Sequence, residues 1–590
     1  MKKIIAVLMA LSLAMAHITV YASDRLVIPL EPMGKMDDKS GVYRYEDPEI
    51  TIPRAAGLAA LPKKYDLRDL GRVTGIKSQL PHSTCWTFAT ISSMESNLIT
   101  KGIAGKTIDL SEGHLAWYTL HGRNSGIISQ YAGRDSCASS SEMTNYFNAA
   151  ATLARGYGAV LESDMPYAVY NPEKYPHDPA YYNEKKMVQS RYELQDALFI
   201  SAGTTVEKYD EKAYQAVKEL IMKNGAVASK IAFPDTMDYI TVFGSRKPNE
   251  LKTYYSKDDY PNHAVSVIGW DDDFYDFRCE EKPAGPGAWI IKDSYGSELH
   301  GDGYFYVSYY SPSVTQFISY VAQKNSGRER YQYDGIGVGD YAVSQDASVA
   351  GSNCFTARTD LLIDQVMTFT PQADCTVSIK IYAANSGGKP VSGTKLYEKA
   401  FQVRYSGYNR INLGKKVGIP KGVNYSVVIT TKTPDKKYFV PFELQDSVEP
   451  VNEPAVVLKG QSYININGKW SELTKDTKIL DKNEEYDYTF TYRPYNALVK
   501  AFGFKGGKKA QKISVKTKVK MKKGKKLKLK AKRTKGNGKL IYKVSDPRKA
   551  TVTSKGVVKA KKKGVVKITI YTLPTAKYRS VKKTVKVTIK

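Results

Sequence analysis

The sequence predicts an α+β domain followed by two all-β domains, on three observations. Apolar residues recur at helical spacing from Phe88 to Leu98, and short apolar strands appear after residue 262. From about residue 330 the helical periodicity fades, and short strands separated by turn clusters replace it. Over residues 507–590 lysines and apolar residues alternate with period two. A chain of 590 residues is too long for one ordinary core, and at roughly 150 residues per domain it divides into about three or four. Its 42% hydrophobic and 11% aromatic content excludes wholesale disorder.

The formal net charge of +29 belongs to one end of the chain. Residues 501–590 carry 32 Lys and Arg against a single acid, Asp546, while residues 1–500 carry 56 basic against 58 acidic residues. A nearly neutral body with a basic tail does not read as a nucleic-acid binder along its whole length. At the other end, Met1-Lys2-Lys3 leads into an apolar run from Ile4 to Ala16, with small-x-small patterns at Ala14-Met15-Ala16 and Val20-Tyr21-Ala22. These features make residues 1–22 a secretory signal peptide, and the run is too short to cross a bilayer. The expectation is an exported chain, secreted or associated with the cell surface, without a transmembrane segment. Residues 23–61 hold Pro29, Pro32, Pro48 and Pro53 among mixed charges and read as an N-terminal prosegment or linker.

Export permits disulfides. Five cysteines leave at least one thiol without an intramolecular partner. Cys354 and Cys375 share one β-rich stretch and form one candidate pair, and Cys137 and Cys279 form another. Four cysteines allow three pairings, among which the sequence does not choose. The odd thiol is assigned to Cys85 on its chemistry. Phe88, Ile91, Met94 and Leu98 place Cys85 in the first turn of an amphipathic helix. There the positive end of the helix dipole favours the thiolate, the nucleophilic form. Downstream, His263-Ala264-Val265-Ser266-Val267-Ile268 reads as a buried strand with a histidine at its mouth. Trp289-Ile290-Ile291-Lys292-Asp293 reads as a second strand ending in a polar residue, and Gly303 to Tyr310 as a third. A cysteine on a helix, a histidine on one strand and a polar group on the next are the parts of a thiolate–imidazolium unit.

With these windows in order, residues 62–325 resemble the papain-like cysteine peptidases. The resemblance runs through Tyr65-Asp66-Leu67-Arg68-Asp69, Gln79 six residues before Cys85, Leu110-Ser111-Glu112, Asn262-His263-Ala264-Val265 and Trp289-Ile290-Ile291-Lys292-Asp293-Ser294-Tyr295-Gly296. It implies a two-lobed fold that acts on protein or peptide substrates without cofactor or metal. It also implies that Cys85 attacks the peptide carbonyl and that His263 holds the thiolate and then protonates the leaving amine. Gln79 and the Cys85 backbone N–H would stabilise the oxyanion.

The chain departs from the family pattern at several points. Asp293 stands where the family has Asn. A carboxylate still orients an imidazole, and its charge predicts a raised His263 pKa and a pH–rate profile extended on the alkaline side. Tyr295 replaces the shielding Trp, which predicts a wetter His263–Asp293 contact. His82-Ser83-Thr84-Cys85 lacks the family's neighbouring cysteine, and Ser136-Cys137-Ala138-Ser139-Ser140-Ser141 occupies the region of its glycine pair. The Tyr/Pro-rich stretch from Pro166 to Tyr182 reads as a loop insertion. His82 reads as a cleft-lining residue. Asp271-Asp272-Asp273-Phe274-Tyr275-Asp276 lacks calcium-loop spacing and reads as a solvated turn.

Residues 330–503 read as a β-sandwich, with strands at Gln365–Phe369, Val377–Tyr382, Tyr425–Ile429 and Asp487–Tyr492. The module resembles the lectin-like domain that follows the peptidase in certain exported bacterial enzymes, which implies carbohydrate as a partner by analogy. Residues 507–590 resemble a bacterial immunoglobulin-like repeat whose lysines form the solvated face. Lys outnumbers Arg 28 to 3 there, and few aromatics are available for base stacking. An anionic cell-wall polymer is therefore the expected partner, rather than nucleic acid. Two functions remain on the sequence alone: an exported cysteine endopeptidase, or a surface adhesin carrying an inactive peptidase-like module.

Overall fold

A computed structural model describes residues 61–120, 146–156, 158–167, 190–234, 242–297, 299–335, 337–344, 348–385, 389–444, 457–474, 477, 479–483, 488–492 and 494–590. The signal peptide, residues 23–60, Cys137, the Ser136–Ser141 segment and most of the Tyr/Pro-rich stretch lie outside the described residues.

Helix α1 (Cys85–Thr100) begins at the cysteine, as its apolar spacing predicts. It differs from the expectation on its other face. Every residue from Trp86 to Leu98 is buried, because the polar positions bond to protein instead of water. Ser93 donates to the Ala226 carbonyl at 2.7 Å, Ser96 to Arg72 at 2.8 Å and Asn97 to Asn224 at 2.8 Å. A helix wet on neither side is a central element, and Ser93, Ser96 and Asn97 stay satisfied only in this one seating.

Two cores flank α1. Together with α2 (Glu112–Leu120) and α3 (Tyr146–Ala154) it packs around Trp86, Met94, Leu98 and Trp117. On the other side, α4 (Glu211–Asn224) covers a sheet whose core holds Tyr214, Trp270 and Trp289. The Asp210 side chain caps α4 by accepting the Ala213 N–H. That sheet contains β1 (Lys64–Asp66), β2 (Tyr192–Ser201), β3 (Val227–Ile231), β4 (Thr253–Tyr254), β5 (His263–Asp271), β6 (Ala288–Lys292), β7 (Tyr304–Ser308) and β8 (Gln316–Lys324). Its order is β4-β7-β6-β5-β3-β8-β2, with β1 paired to β5. β5 and β6 are antiparallel with Ser266 opposite Lys292, so the start of β5 lies beside the end of β6. That register sets His263 near Asp293.

The sheet does not stop at the peptidase-like region. β2 pairs with the strand Ser406–Ile419, which continues through Leu361–Thr370 and Lys500–Lys505 to Glu329–Tyr331. A second sheet of nine strands faces these and completes the sandwich of residues 330–503. Its alternation is plain in Cys375–Ala383, where buried and half-buried residues strictly alternate. The join between the two units is charged as well as hydrogen-bonded. Arg410, 1% exposed, lies 3.2 Å from Glu193, which also meets Arg330 at 2.8 Å, and the Arg410 N–H donates to Asp196 at 2.7 Å.

The candidate Cys354–Cys375 pair does not form, and Cys279 is also a free thiol. Cys354 lies opposite Ser426, whereas Cys375 lies level with the residue after Lys432, both measured along the strand Asn424–Lys432 that separates them. Seven residues along a strand are about 23 Å, far outside disulfide reach.

In the C-terminal module, Gly564–Thr572 buries Val566, Ile568 and Ile570 and turns Val565 and Lys567 outward, as period two requires. One expected strand, Lys526–Lys532, is broken. Lys530 takes a left-handed conformation (φ 51°), and the chain passes from the strand Lys526–Lys528 to Lys532–Lys535 in a different sheet. Among the described residues, no helix is long and apolar enough to cross a membrane.

Candidate active site

Cys85 opens α1 at the wall between the two cores, half-buried, with the helix N-terminus behind it. His263 opens β5, and its Nε2 lies 2.8 Å from Asp293 Oδ1. That leaves Nδ1 for the Cys85 side chain, which hydrogen-bonds the ring. The wetter contact expected from Tyr295 is not found. The His263 and Asp293 side chains are 4% and 0% exposed. The Tyr295 ring stacks on the imidazole at 4.9 Å and 19°, and Phe233 packs edge-on against it at 5.0 Å, itself 5.7 Å from Tyr295. A tyrosine and a phenylalanine packed side by side cover the pair where one indole was expected.

Burial works against the imidazolium, but the charge and hydrogen bond of Asp293, followed by those of Cys85, outweigh it and raise the His263 pKa to about 10. Burial likewise opposes the Asp293 carboxylate. The His263 charge and the hydrogen bonds from both His263 and His300 override it and hold Asp293 well below the ordinary carboxylate range. The Ser294 N–H also donates to Asp293 Oδ1 at 2.8 Å. His300 Nε2 lies 2.8 Å from Asp293 Oδ2.

Gln79 is 3% exposed and fixed at both ends of its amide. Its Oε1 accepts from the Ser294 hydroxyl at 2.7 Å, and its Nε2 donates to the His82 carbonyl at 3.0 Å. An amide nitrogen carries two N–H groups, so one remains beyond the His82 contact. The loop is tied to the end of β6 by backbone bonds from Gln79 N–H to the Ser294 carbonyl (2.7 Å) and from Gly296 N–H to Lys77 (3.1 Å). Asp293 is anchored in turn by its own N–H, which donates to the Gly303 carbonyl at 3.0 Å. Gly303 has φ 80°, and a Cβ there would meet Ile76 at 2.7 Å, so the turn needs a glycine.

Behind the site, the Leu-Ser-Glu match acquires a physical role. Ser111 accepts the His114 N–H at 2.9 Å at the start of α2, and Glu112 meets Lys77 at 2.8 Å. Lys77 also reaches Glu95 at 3.0 Å and Asp109 at 2.7 Å. Burial lifts Glu112 to about 8 against the pull of Lys77, and burial lowers Lys292 to about 8. This cluster secures the Gln79 loop to α1 from below.

The other sequence candidates separate cleanly. His82 is half-buried against the Tyr167 ring, and the Tyr167 hydroxyl donates to the Gln79 carbonyl at 2.6 Å. The start of the Tyr/Pro-rich stretch is thus packed into the site wall. The aspartates of residues 271–273 are paired with lysines: Asp271 with Lys64, Asp272 with Lys218 and Asp273 with Lys63. Among the described residues, no cluster of His, Cys, Asp and Glu has the arrangement of a metal site.

The family model described as Papain family cysteine protease matches residues 61–321, Lectin like domain matches 330–503, and Bacterial Ig-like domain (group 2) matches 509–585. Residues 61–321 are a papain-family cysteine protease domain. The papain-family domain is similar to fruit bromelain of Ananas comosus (23% identical over 254 residues) and to the viral cathepsin of Bombyx mori nuclear polyhedrosis virus (25% over 248). Each match takes in 42% of this chain and only 55% and 59% of those relatives' own length. A solved structure of the cysteine protease and lectin-like domains of Cwp84, a surface layer associated protein of Clostridium difficile, aligns with 81% of this chain and 99% of that one. Its TM-score is 0.56 at 24% identity, a likeness of fold. The order of papain-family, lectin-like and immunoglobulin-like domains is therefore that read from the sequence.

Proposed function

We propose that this chain is an exported cysteine endopeptidase held at the cell surface. The observation that carries the reading is the seating of Cys85 at a helix N-terminus beside a buried His263–Asp293 pair, with the Gln79 amide on the same wall. In this reading the Cys85 thiolate attacks the scissile carbonyl carbon and a C–S bond forms. The carbonyl electron pair moves to oxygen, where the Gln79 amide and the Cys85 backbone N–H stabilise it. As the tetrahedral intermediate collapses, the C–N bond breaks and His263 gives its proton to the departing amine. Water, deprotonated by His263, then hydrolyses the thioester and restores the thiol pair. Asp293 orients the ring and keeps it charged.

The substrates are proteins or peptides. The likeness to a surface layer associated protein supports a surface location. The exposed lysines of the last domain support electrostatic retention on an anionic wall polymer, and the lectin-like module supports a carbohydrate contact. Labelling with a thiol-directed epoxide tests the central claim. The expected result is selective modification of Cys85 that is lost in Cys85→Ala, together with cleavage of denatured protein by the unaltered chain. No selective label and no cleavage would return the chain to the adhesin reading.

A further inference from the structure

We propose that His300 is a positioning residue that stays positively charged through the reaction, clamping Asp293 and cancelling the charge that Asp293 brings to the buried centre. The inference rests on the peptidase reading above and deepens it.

Valence at the ring is the starting point. His300 Nε2 faces Asp293 Oδ2 at 2.8 Å, and its Nδ1 faces the Leu251 carbonyl oxygen at hydrogen-bond distance. A carbonyl oxygen only accepts, and so does an ionised carboxylate. A neutral imidazole has one N–H and would leave one of these two contacts with lone pairs opposed. Protonating Asp293 would relieve that clash, but the carboxylate already accepts from the Ser294 N–H and from His263. It is also held well below the ordinary carboxylate range. The consistent assignment is a doubly protonated His300 ring donating at both nitrogens.

The His300 side chain is 0% exposed. Phe305 stacks on it at 4.3 Å, and Phe243 and Phe233 stand at 5.5 and 6.5 Å. Among the described residues the charged groups on the elements around it are Asp293, His263 on the other oxygen of that carboxylate, the buried Lys292 beside Asp293 on β6, and the Lys252–Asp302 and Lys247–Glu250 pairs, which are exposed and internally matched. Asp293 is the charge that the ring meets. The backbone is committed to this pose too. His300 sits at φ 64°, uncommon for a residue with a side chain, and its N–H donates to the Pro248 carbonyl at 2.7 Å.

The consequence is a charge count. The thiolate and the His263 imidazolium cancel, and a neutral amide at position 293 would leave them balanced. Asp293 adds one negative charge to a buried site, and His300 removes it. The Asp–His pair is thus a two-residue replacement for one amide, keeping the orienting hydrogen bond at the same net charge.

The test has two arms. Histidine ring-nitrogen NMR on the full chain carrying Cys85→Ala reads protonation without any turnover, and with seven histidines in the chain the resonances are assignable. The expected spectrum shows His300 doubly protonated at the pH of turnover, and singly protonated when Asp293→Asn is added. A singly protonated His300 opposite Asp293 overturns the proposal, whether or not the chain proves to be a peptidase. The second arm is the pH profile of His300→Gln. Removing a positive charge favours the His263 imidazolium and disfavours the Cys85 thiolate. Both limbs of the kcat/KM profile should therefore move to higher pH by about one unit. In the Asp293→Asn background the same substitution should leave the limbs in place. A fall in rate with unmoved limbs in both backgrounds would mean that His300 only packs.

Discussion

In the papain-family domain, charges are packed out of water against partners. Asp293 lies between two imidazoles, Lys77 meets Glu95, Glu112 and Asp109, and Glu193 meets Arg330 and Arg410. In the C-terminal domain the lysines stand in water, and its lone acid, Asp546, is taken by Arg548. Lys526 even lies directly across the strand pair from Lys559. The two regions have opposite physics. A buried ion unbalanced by one substitution keeps its desolvation cost and loses its compensation. An exposed charge contributes little to stability but acts over distance until salt screens it. The first region can serve chemistry and the second adhesion, and neither arrangement would work in the other's place.

The comparison can be broken most sharply at Asp293. Asp293→Ala leaves His263 without its orienting acceptor and should lower kcat/KM by on the order of 10^3–10^4-fold, as loss of the orienting acid does in other triads; a single peptide substrate suffices to measure it. Next comes Glu193→Gln, which removes the carboxylate that Arg410 and Arg330 share and leaves Arg410 only Asp196, and should remove about 3 kcal/mol in denaturant unfolding of the full chain.

A smaller effect concerns pH. The folded His263 pKa is raised to about 10. The stabilisation it brings is therefore complete below its unfolded value and lost as pH climbs towards 10. Asp293→Asn removes the carboxylate that touches His263 (2.8 Å) while the farther His300 loses its proton, so the alkaline limb of activity should fall to lower pH by less than about one unit. Profiles of the two proteins that superimpose would end this account of Asp293. The smallest change is expected in the tail. Lys526→Gln with Lys559→Gln relieves a like-charge pair, so stability should shift by no more than about 0.5 kcal/mol. Binding to cell-wall preparations should weaken, with a shallower dependence on salt; unchanged binding would separate retention from the lysines.

Much of this was legible because short-range signals carried it. Cys85 and His263 announce themselves by residue type on a helix and a strand, Gln79 only through the family resemblance, and the period-two lysines announce a solvated sheet face. What stayed hidden depends on contacts across the chain. His300 stands seven residues after Asp293 in a glycine-rich turn, where nothing local marks it. The available signal was indirect: an acid in place of an amide in a dry site demands a buried cation. The full burial of α1 was hidden in the same way, because Ser93, Ser96 and Asn97 look solvent-facing until their carbonyl partners at Ala226, Arg72 and Asn224 are known. Tyr295 was misleading as a single substitution, since Phe233 shares its task from a strand end far away in sequence. The separation of Cys354 from Cys375 is set by the register of a third strand, which neither cysteine reveals.

The pairing of Ser406, Gly407 and Tyr408 with Phe199, Leu198 and Ala197 makes the peptidase and lectin-like units one continuous sheet. Mechanically this is a rigid lever, not a tether. The immunoglobulin-like domain is fastened to that lever in turn, with Ser580 bonded to Asp360 at 2.6 Å. Whatever grips the far end of the chain therefore sets the direction in which the Cys85 cleft points. Reach would be governed by the height and angle of that mount. A substrate would have to present its scissile bond at the level where the cleft is held.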